Sequence, residues 1–269
     1  RVPATVKALP LLLAVIMVAS ALGAEPVFLR RNVSQINEMP DDLTADKAHY
    51  KPIFGLGDED AGAVKGIARY GELAVDSGGA TRIVSYDKEE QAYFVLSGRG
   101  VLHYGDERTP VKENDFVYLP PGVQHGLSNS SDRPLRVLIM GYKIPVGAQV
   151  PPTPQLRIAS ADDVPRQVLG GHGPTTQFKL LMGNARSTRD KIAAGLQITS
   201  LFEMDFALGG TNIPHRHVRE EEIYYVLTGH GDMIAGQTPD GKEARHPCKE
   251  GDAFYFPPGT LVGFYSGAK

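Results

Sequence analysis

"YYVLTGHG" (residues 224–231) repeats an earlier stretch of the chain, "YFVLSGRG" (residues 93–100), at an offset of 131. Farther along, "NDFVYLPPGVQHG" (114–126) returns as "GDAFYFPPGTLVG" (251–263), now at an offset of 137. The extra residues fall around "GQTPDGKE" (236–243), where a longer hairpin turn costs little. Two such pairs in the same order imply two related domains in tandem. Each copy reads as β-structure. "QAYFVLSGRGVLHYG" (91–105) and "EIYYVLTGHGDMIAG" (222–236) are aromatic and β-branched runs broken by glycine turns. "DFVYLPPG" (115–122) and "AFYFPPG" (253–259) are strands stopped by Pro-Pro-Gly, which ends ladder pairing and forces a turn.

The first copy continues through "LRVLIMGYKIP" (135–145), a final apolar strand. The second copy reaches "VGFYSGAK" (262–269) without a counterpart, so either a terminal strand lies beyond the sequence given or the second barrel is closed by something else. Between the copies, "KIPVGAQVPPTPQL" (143–156) is Pro-rich and reads as extended linker. Helical signal is thin; "STRDKIAAGLQ" (187–197) predicts at most a turn or two.

The bulk composition narrows the function classes. A chain of 269 residues with 42% hydrophobic and 22% charged residues can bury a core. Its 30 glycines and 20 prolines suit many short strands joined by turns. A net charge of −3 leaves no electrostatic footprint for nucleic acid, which we exclude as a partner. Cys248 is the only cysteine, so no intrachain disulfide forms.

Arg1 and Lys7 precede a run from Ala8 to Ala24 that is apolar apart from Pro10, Ser20 and Gly23. With the small residues of "ASALGAEP" (19–26) after it, residues 1–30 read as a signal-like or signal-anchor transmembrane helix. The anchored reading puts the protein at a bacterial inner membrane with a periplasmic body. The alternative is a cleaved signal and a secreted or periplasmic soluble protein. The expected organisation is then an N-terminal barrel over 31–145, a linker over 146–160 and a C-terminal barrel over 161–269.

Both repeats resemble the cupin family, and the chain as a whole looks like a bicupin, over about residues 70–265. Gly209, His215, His217, Glu222 and Gly229 satisfy the family's first motif; Gly251, Pro257 and Gly259 fit its second. The second motif's histidine position holds Val262 and its asparagine position Ser266. The resemblance implies an all-β fold of two tandem cupin barrels of the double-stranded β-helix, or jelly-roll, type, each with a ligand pocket in its mouth. The residues themselves make the same chemical case. Residues two apart on a strand share a face, so His215 and His217 point the same way. With the carboxylate of Glu222 they form a facial set of two imidazoles and one oxygen, which suits a single divalent Fe, Mn or Zn with open positions. In the first repeat Val84 and Tyr86 take the histidine positions and Gln91 the glutamate position; only His125 and Asn129 survive, and no metal is expected there. His172, in "GGHG" (170–173), reads as a solvated loop histidine.

Three functional expectations follow. The leading one is a membrane-anchored, exported bicupin acting as a non-catalytic accessory subunit of an inner-membrane complex of respiratory or photosynthetic type, partnered by its other subunits. The second is an exported metal-dependent enzyme of dioxygenase, decarboxylase or aminohydrolase type, acting on a small carboxylate or amide. In it Glu220 or Tyr224 would serve as the acid–base partner. The third is a periplasmic binding protein for a small molecule.

Overall fold

A computed structural model of the chain describes residues 27–151 and 155–267. These residues form strands, turns and two short 3-10 turns, at Val33–Gln35 and Ala161–Asp163. Two sheets build the first barrel. One has six antiparallel strands in the order Arg157–Ser160, Asp115–Leu119, Glu89–Ser97, Leu135–Lys143, Ile67–Val75 and Ala48–Gly55. The other runs Gly79–Ala80, His125–Asn129, Arg99–Tyr104, Glu107–Lys112. In the second barrel His215–Arg216, Leu261–Ser266, His230–Gln237 and Glu243–Lys249 form the counterpart of that four-stranded sheet. Its other wall is divided. Leu29–Asn32, Asp252–Phe256 and Glu222–Tyr225 make one sheet, and Ile192–Gly195, Thr176–Asn184 and Ser200–Phe206 make another.

The division falls where the first barrel has its Leu135–Lys143 strand. In the first barrel Leu135–Lys143 pairs with both Ile67–Val75 and Glu89–Ser97. Among the described residues nothing fills the equivalent place between Ser200–Phe206 and Glu222–Tyr225. A cavity of about 860 Å³ is lined there by Phe202, Met204, Phe206, Ile223, Tyr224 and Tyr225.

The barrels exchange strands. Leu29–Asn32 precedes the first barrel yet pairs with the second, Leu29 opposite Tyr255. Arg157–Ser160 precedes the second barrel yet pairs with the first, Arg157 opposite Tyr118. The stretch read as linker over 146–160 thus ends in a strand of the first barrel's sheet. The exchange also explains why the repeat strands read as unbroken apolar runs: both their faces are buried. Val117 and Leu119 point into the first barrel's core, while Phe116 and Tyr118 join a second core shared between the barrels. In the second barrel Phe254 and Phe256 point inward, and Ala253 and Tyr255 enter the shared core.

Two glutamates at equivalent places lock this arrangement. Glu90 is fully buried, and its carboxylate accepts the backbone N–H groups of Leu196 (2.7 Å), Gln197 (2.6 Å) and Ile198 (2.6 Å) and the Tyr118 hydroxyl (2.9 Å). Glu221 accepts the N–H groups of Lys65 (2.9 Å) and Gly66 (2.7 Å) and a short hydrogen bond from the Tyr255 hydroxyl. A Cβ at Gly66 would stand 2.5 Å from a Glu221 oxygen, so only glycine admits the carboxylate there. The capture of Glu90 also accounts for 187–197. In place of a helical turn the chain forms Ile192–Gly195, parallel to Thr176–Asn184, and the following residues turn their N–H groups to the carboxylate. Tertiary demand overrides local propensity.

Two expectations about the N-terminus meet different ends. Residues 1–26 lie outside the described residues, and with them most of the helix expected over 1–30; Leu29 and Arg30 belong to a strand. The inner-membrane placement is corrected: among the described residues no helix is long and apolar enough to cross a membrane. The apolar runs that are described are short strands buried on both faces between two barrels.

Glu90→Ala is expected to destabilise the chain by about 3 kcal/mol in urea unfolding, because it leaves the buried Ile198 N–H and Tyr118 hydroxyl, and the part-buried Leu196 and Gln197 N–H groups, without this acceptor. Glu221→Ala, whose donors reach the edge of the interface, is expected to cost roughly half as much. A Glu90→Ala variant within about 0.5 kcal/mol of the parent would refute the lock.

Candidate metal centre

The segment Thr211–Asn212–Ile213 sets the geometry of the site. Ile213 is held at φ 59°, a left-handed conformation that a β-branched residue rarely adopts and that marks a local constraint. The turn aims the Ile213 carbonyl at His215, whose Nδ1–H donates to it at 2.9 Å. That bond fixes the tautomer and leaves Nε2 as the ligand atom. His215 Nε2 lies 3.1 Å from His217 Nε2, with the rings edge to face. His217 Nε2 is in turn 3.3 Å from Glu222 Oε2.

The three residues predicted from sequence are therefore assembled: one nitrogen of each histidine and one Glu222 oxygen all lie within 4.8 Å of one another. Their environment fits a cation. Glu222 Oε2 is buried and makes no hydrogen bond, despite its nearness to His217. Two imidazole nitrogens each about 2.1 Å from one metal, at right angles, would stand about 3 Å apart, which is the spacing seen. Burial pushes the Glu222 carboxyl up to about 7, and burial, then His215, pushes the His217 imidazole down. A divalent ion among them would favour the ligating forms, reversing the shift at Glu222 and reinforcing the one at His217.

Tyr224 and Glu220 are placed differently from each other. The buried Tyr224 hydroxyl accepts from Asn212 Nδ2 at 3.0 Å; burial, then the neighbouring Glu222 carboxylate, raises it far above the ordinary phenol range. It therefore stays protonated and orients the ligand carboxylate. Asn212, fully buried, also accepts the Phe264 N–H at 2.8 Å, tying the turn to the barrel wall. Glu220 is exposed on the loop between His217 and Glu222, and its charge bears on His217.

His172 is the site neighbour that sequence reading missed. Its ring lies 5.1 Å from that of His215, edge to face, and its Nδ1 is 3.1 Å from the Asn212 carbonyl. The solvated-loop expectation is corrected: glycines at φ 85° (Gly171) and 73° (Gly173) turn the loop back onto the site. The signal was those two glycines flanking one histidine, which mean a tight turn as readily as flexibility.

In the first barrel the same positions are filled differently. His125, with 2% of its surface exposed, has Nδ1 3.0 Å from the Val123 carbonyl and Nε2 3.2 Å from Gln91 Oε1; a neutral ring, with one N–H, donates to one of these two oxygens. Tyr86 and Tyr93 flank its ring at 5.8 and 5.7 Å. The two barrels have kept opposite halves of one pair: His125 faces Val84 across the sheet, and His215 faces Val262.

Burial pushes the His125 imidazole down to about 4 from its ordinary 6.5. Between those values the unfolded chain takes up a proton that the folded one refuses. The stabilising contribution of the neutral ring is complete above pH 6.5 and is lost as pH falls toward 4, by about 3 kcal/mol in total. A His125→Gln variant is thus expected to gain about 3 kcal/mol relative to the parent between pH 7 and pH 4 in urea unfolding. A difference that does not change with pH would contradict a buried neutral imidazole.

Residues 71–141 match the Cupin domain family and residues 186–269 the Cupin family. Among curated proteins the chain is 32% identical over 71 residues to the uncharacterized protein MJ1618 of Methanocaldococcus jannaschii, covering 26% of this chain and 57% of that one. It is 42% identical over 62 residues to Germin-like protein subfamily 2 member 1 of Arabidopsis thaliana, covering 23% of this chain and 28% of that one. The chain therefore matches only part of the length of these relatives. Solved structures resemble it over nearly its whole length. A putative glyoxylate induced protein of Pseudomonas aeruginosa superposes with a TM-score of 0.69 at 15% identity, covering 89% of this chain and 84% of that one. The oxalate decarboxylase of Lactobacillus farciminis, in a formate complex, gives 0.66 at 12%, covering 90% and 83%. A bacterial pirin of Escherichia coli, in complex with nickel(II), gives 0.65 at 12%, covering 90% and 95%. At these identities the likeness is one of fold. Two cupin matches in tandem, on two barrels that exchange strands, make this chain a bicupin of the cupin superfamily.

Proposed function

We propose that this bicupin is a metal-dependent enzyme whose C-terminal barrel holds one divalent ion on His215, His217 and Glu222 and acts on a small carboxylate or amide. The observation that carries the reading is the Glu222 Oε2 atom, buried and without a hydrogen bond 3.3 Å from His217 Nε2. An orphaned buried carboxylate oxygen is costly unless something cationic completes it. Three protein ligands leave coordination positions for water and substrate, as catalytic sites require.

A bound ion of this kind would polarise a carbonyl or activate water or dioxygen. The chain's own residues do the rest. The Ile213 and Asn212 carbonyls hold His215 and His172 in defined tautomers. Tyr224 and Asn212 orient Glu222, so Tyr224 acts as a positioning residue. Glu220, exposed beside His217, is the carboxylate free to move a proton at the mouth of the site. The similar folds of oxalate decarboxylase, solved with formate, and of pirin, solved with nickel(II), support a small anion and a transition metal at the level of the fold. The first barrel, whose His125 is engaged with Val123 and Gln91, supplies structure through the exchanged strand and Glu90.

Protein purified without chelator is expected to carry about one equivalent of a transition metal by elemental analysis, and His217→Ala to lose most of it. Less than about a tenth of an equivalent, unresponsive to added Fe, Mn, Zn or Ni, would contradict the reading and leave a non-catalytic bicupin.

A further inference from the structure

We propose that His172 is the fourth protein ligand of this metal site, brought in by the 169–173 turn to take the coordination position that Val262 leaves open; the inference rests on the metal reading above. Two histidine rings flank His215 at similar separations and angles; His217 is already in the converging ligand set, and His172 joins it by an inward swing of its side chain. The His215 ring is 4.9 Å from His217 at 80° and 5.1 Å from His172 at 81°. Both neighbours of the strained turn are prepared in the same way. Ile213 offers its carbonyl to His215 Nδ1 at 2.9 Å, and Asn212 offers its carbonyl to His172 Nδ1 at 3.1 Å. A carbonyl can only accept, so each ring carries its proton on Nδ1 and keeps the Nε2 lone pair for a metal. Successive carbonyls of one turn thus select the ligating tautomer of two histidines.

The loop is built to deliver the ring. Gly171 and Gly173, on either side of His172, sit at φ 85° and 73°, and the His172 N–H closes a turn on the Leu169 carbonyl at 3.2 Å. The Phe178 ring supports the imidazole from behind at 4.9 Å. A Cβ at Gly173 would touch the Ile213 side chain at 3.4 Å, so the loop packs directly on the strained residue. Opposite His215 the strand offers Val262, which is 2% exposed and has no donor atom. A histidine arriving from outside the repeated motif restores what that strand cannot give.

The test is Ni(II) calorimetry, with Cu(II) electron paramagnetic resonance to count ligating nitrogens. The parent is expected to show three imidazole nitrogens. His172→Ala should show two and bind Ni(II) roughly 10- to 100-fold more weakly. His172→Ala combined with Val262→His should recover both the affinity and the third nitrogen, which a merely structural role for His172 would not allow. Should His172→Ala fold poorly in metal-free thermal unfolding, His172→Gln, with a carbonyl oxygen and an amide in place of the ring, gives the same reading. Affinity and nitrogen count unchanged in the His172 variants would overturn the inference while leaving the His215–His217–Glu222 site intact. A parent protein that binds neither ion would overturn both.

Discussion

The structure depends on two carboxylates that each barrel gives to the other. Glu90 and Glu221 sit immediately before Gln91 and Glu222, the positions that face into the two barrels. Successive side chains on a strand point to opposite faces, so fixing one fixes its neighbour. When Lys65, Gly66 and Tyr255 hold Glu221 toward the first barrel, Glu222 is directed into the second. The same contact that joins the barrels therefore sets the register of the ligand strand. A slip of one residue would expel Glu222 and bury Glu221.

The exchanged strands and the captured glutamates give the chain an approximate internal twofold relation, as two copies of one barrel would have in a symmetric dimer. Within that relation the two pockets have diverged in opposite directions. The first kept His125 and closed it with hydrogen bonds and aromatic rings. The second kept the two histidines and the glutamate and lost the histidine of the other motif. One pocket is closed by hydrogen bonds and rings, and the other keeps a buried carboxylate oxygen, Glu222 Oε2, without a hydrogen bond.

Much of this was legible in the sequence. The repeat of "YFVLSGRG" as "YYVLTGHG" carried the two-barrel architecture, because strands buried on both faces leave a long apolar signature. Strand alternation, a local rule, puts His215 and His217 on one face, and the resemblance to the cupin motif singles out Glu222 beside them. What could not be read was everything set by long-range contact. The strand exchange of 29–32 and 157–160 shows in no local pattern, and "STRDKIAAGLQ" resembles a helix until Glu90 is placed against it. His172 lies outside both motifs, and only the turn that carries it makes it a neighbour of His215. The apolar N-terminal run suggests a membrane helix; it lies outside the described residues, and among those no helix is long and apolar enough to cross a membrane.

The central claim is that the three ligand atoms converge on a cation. Anomalous diffraction from crystals grown without chelator, collected on both sides of a transition-metal absorption edge, tests it most directly. One strong peak is expected about 2.0–2.2 Å from His215 Nε2, His217 Nε2 and a Glu222 oxygen. A map without that peak, with Glu222 satisfied by water or by a direct hydrogen bond to His217, would contradict it.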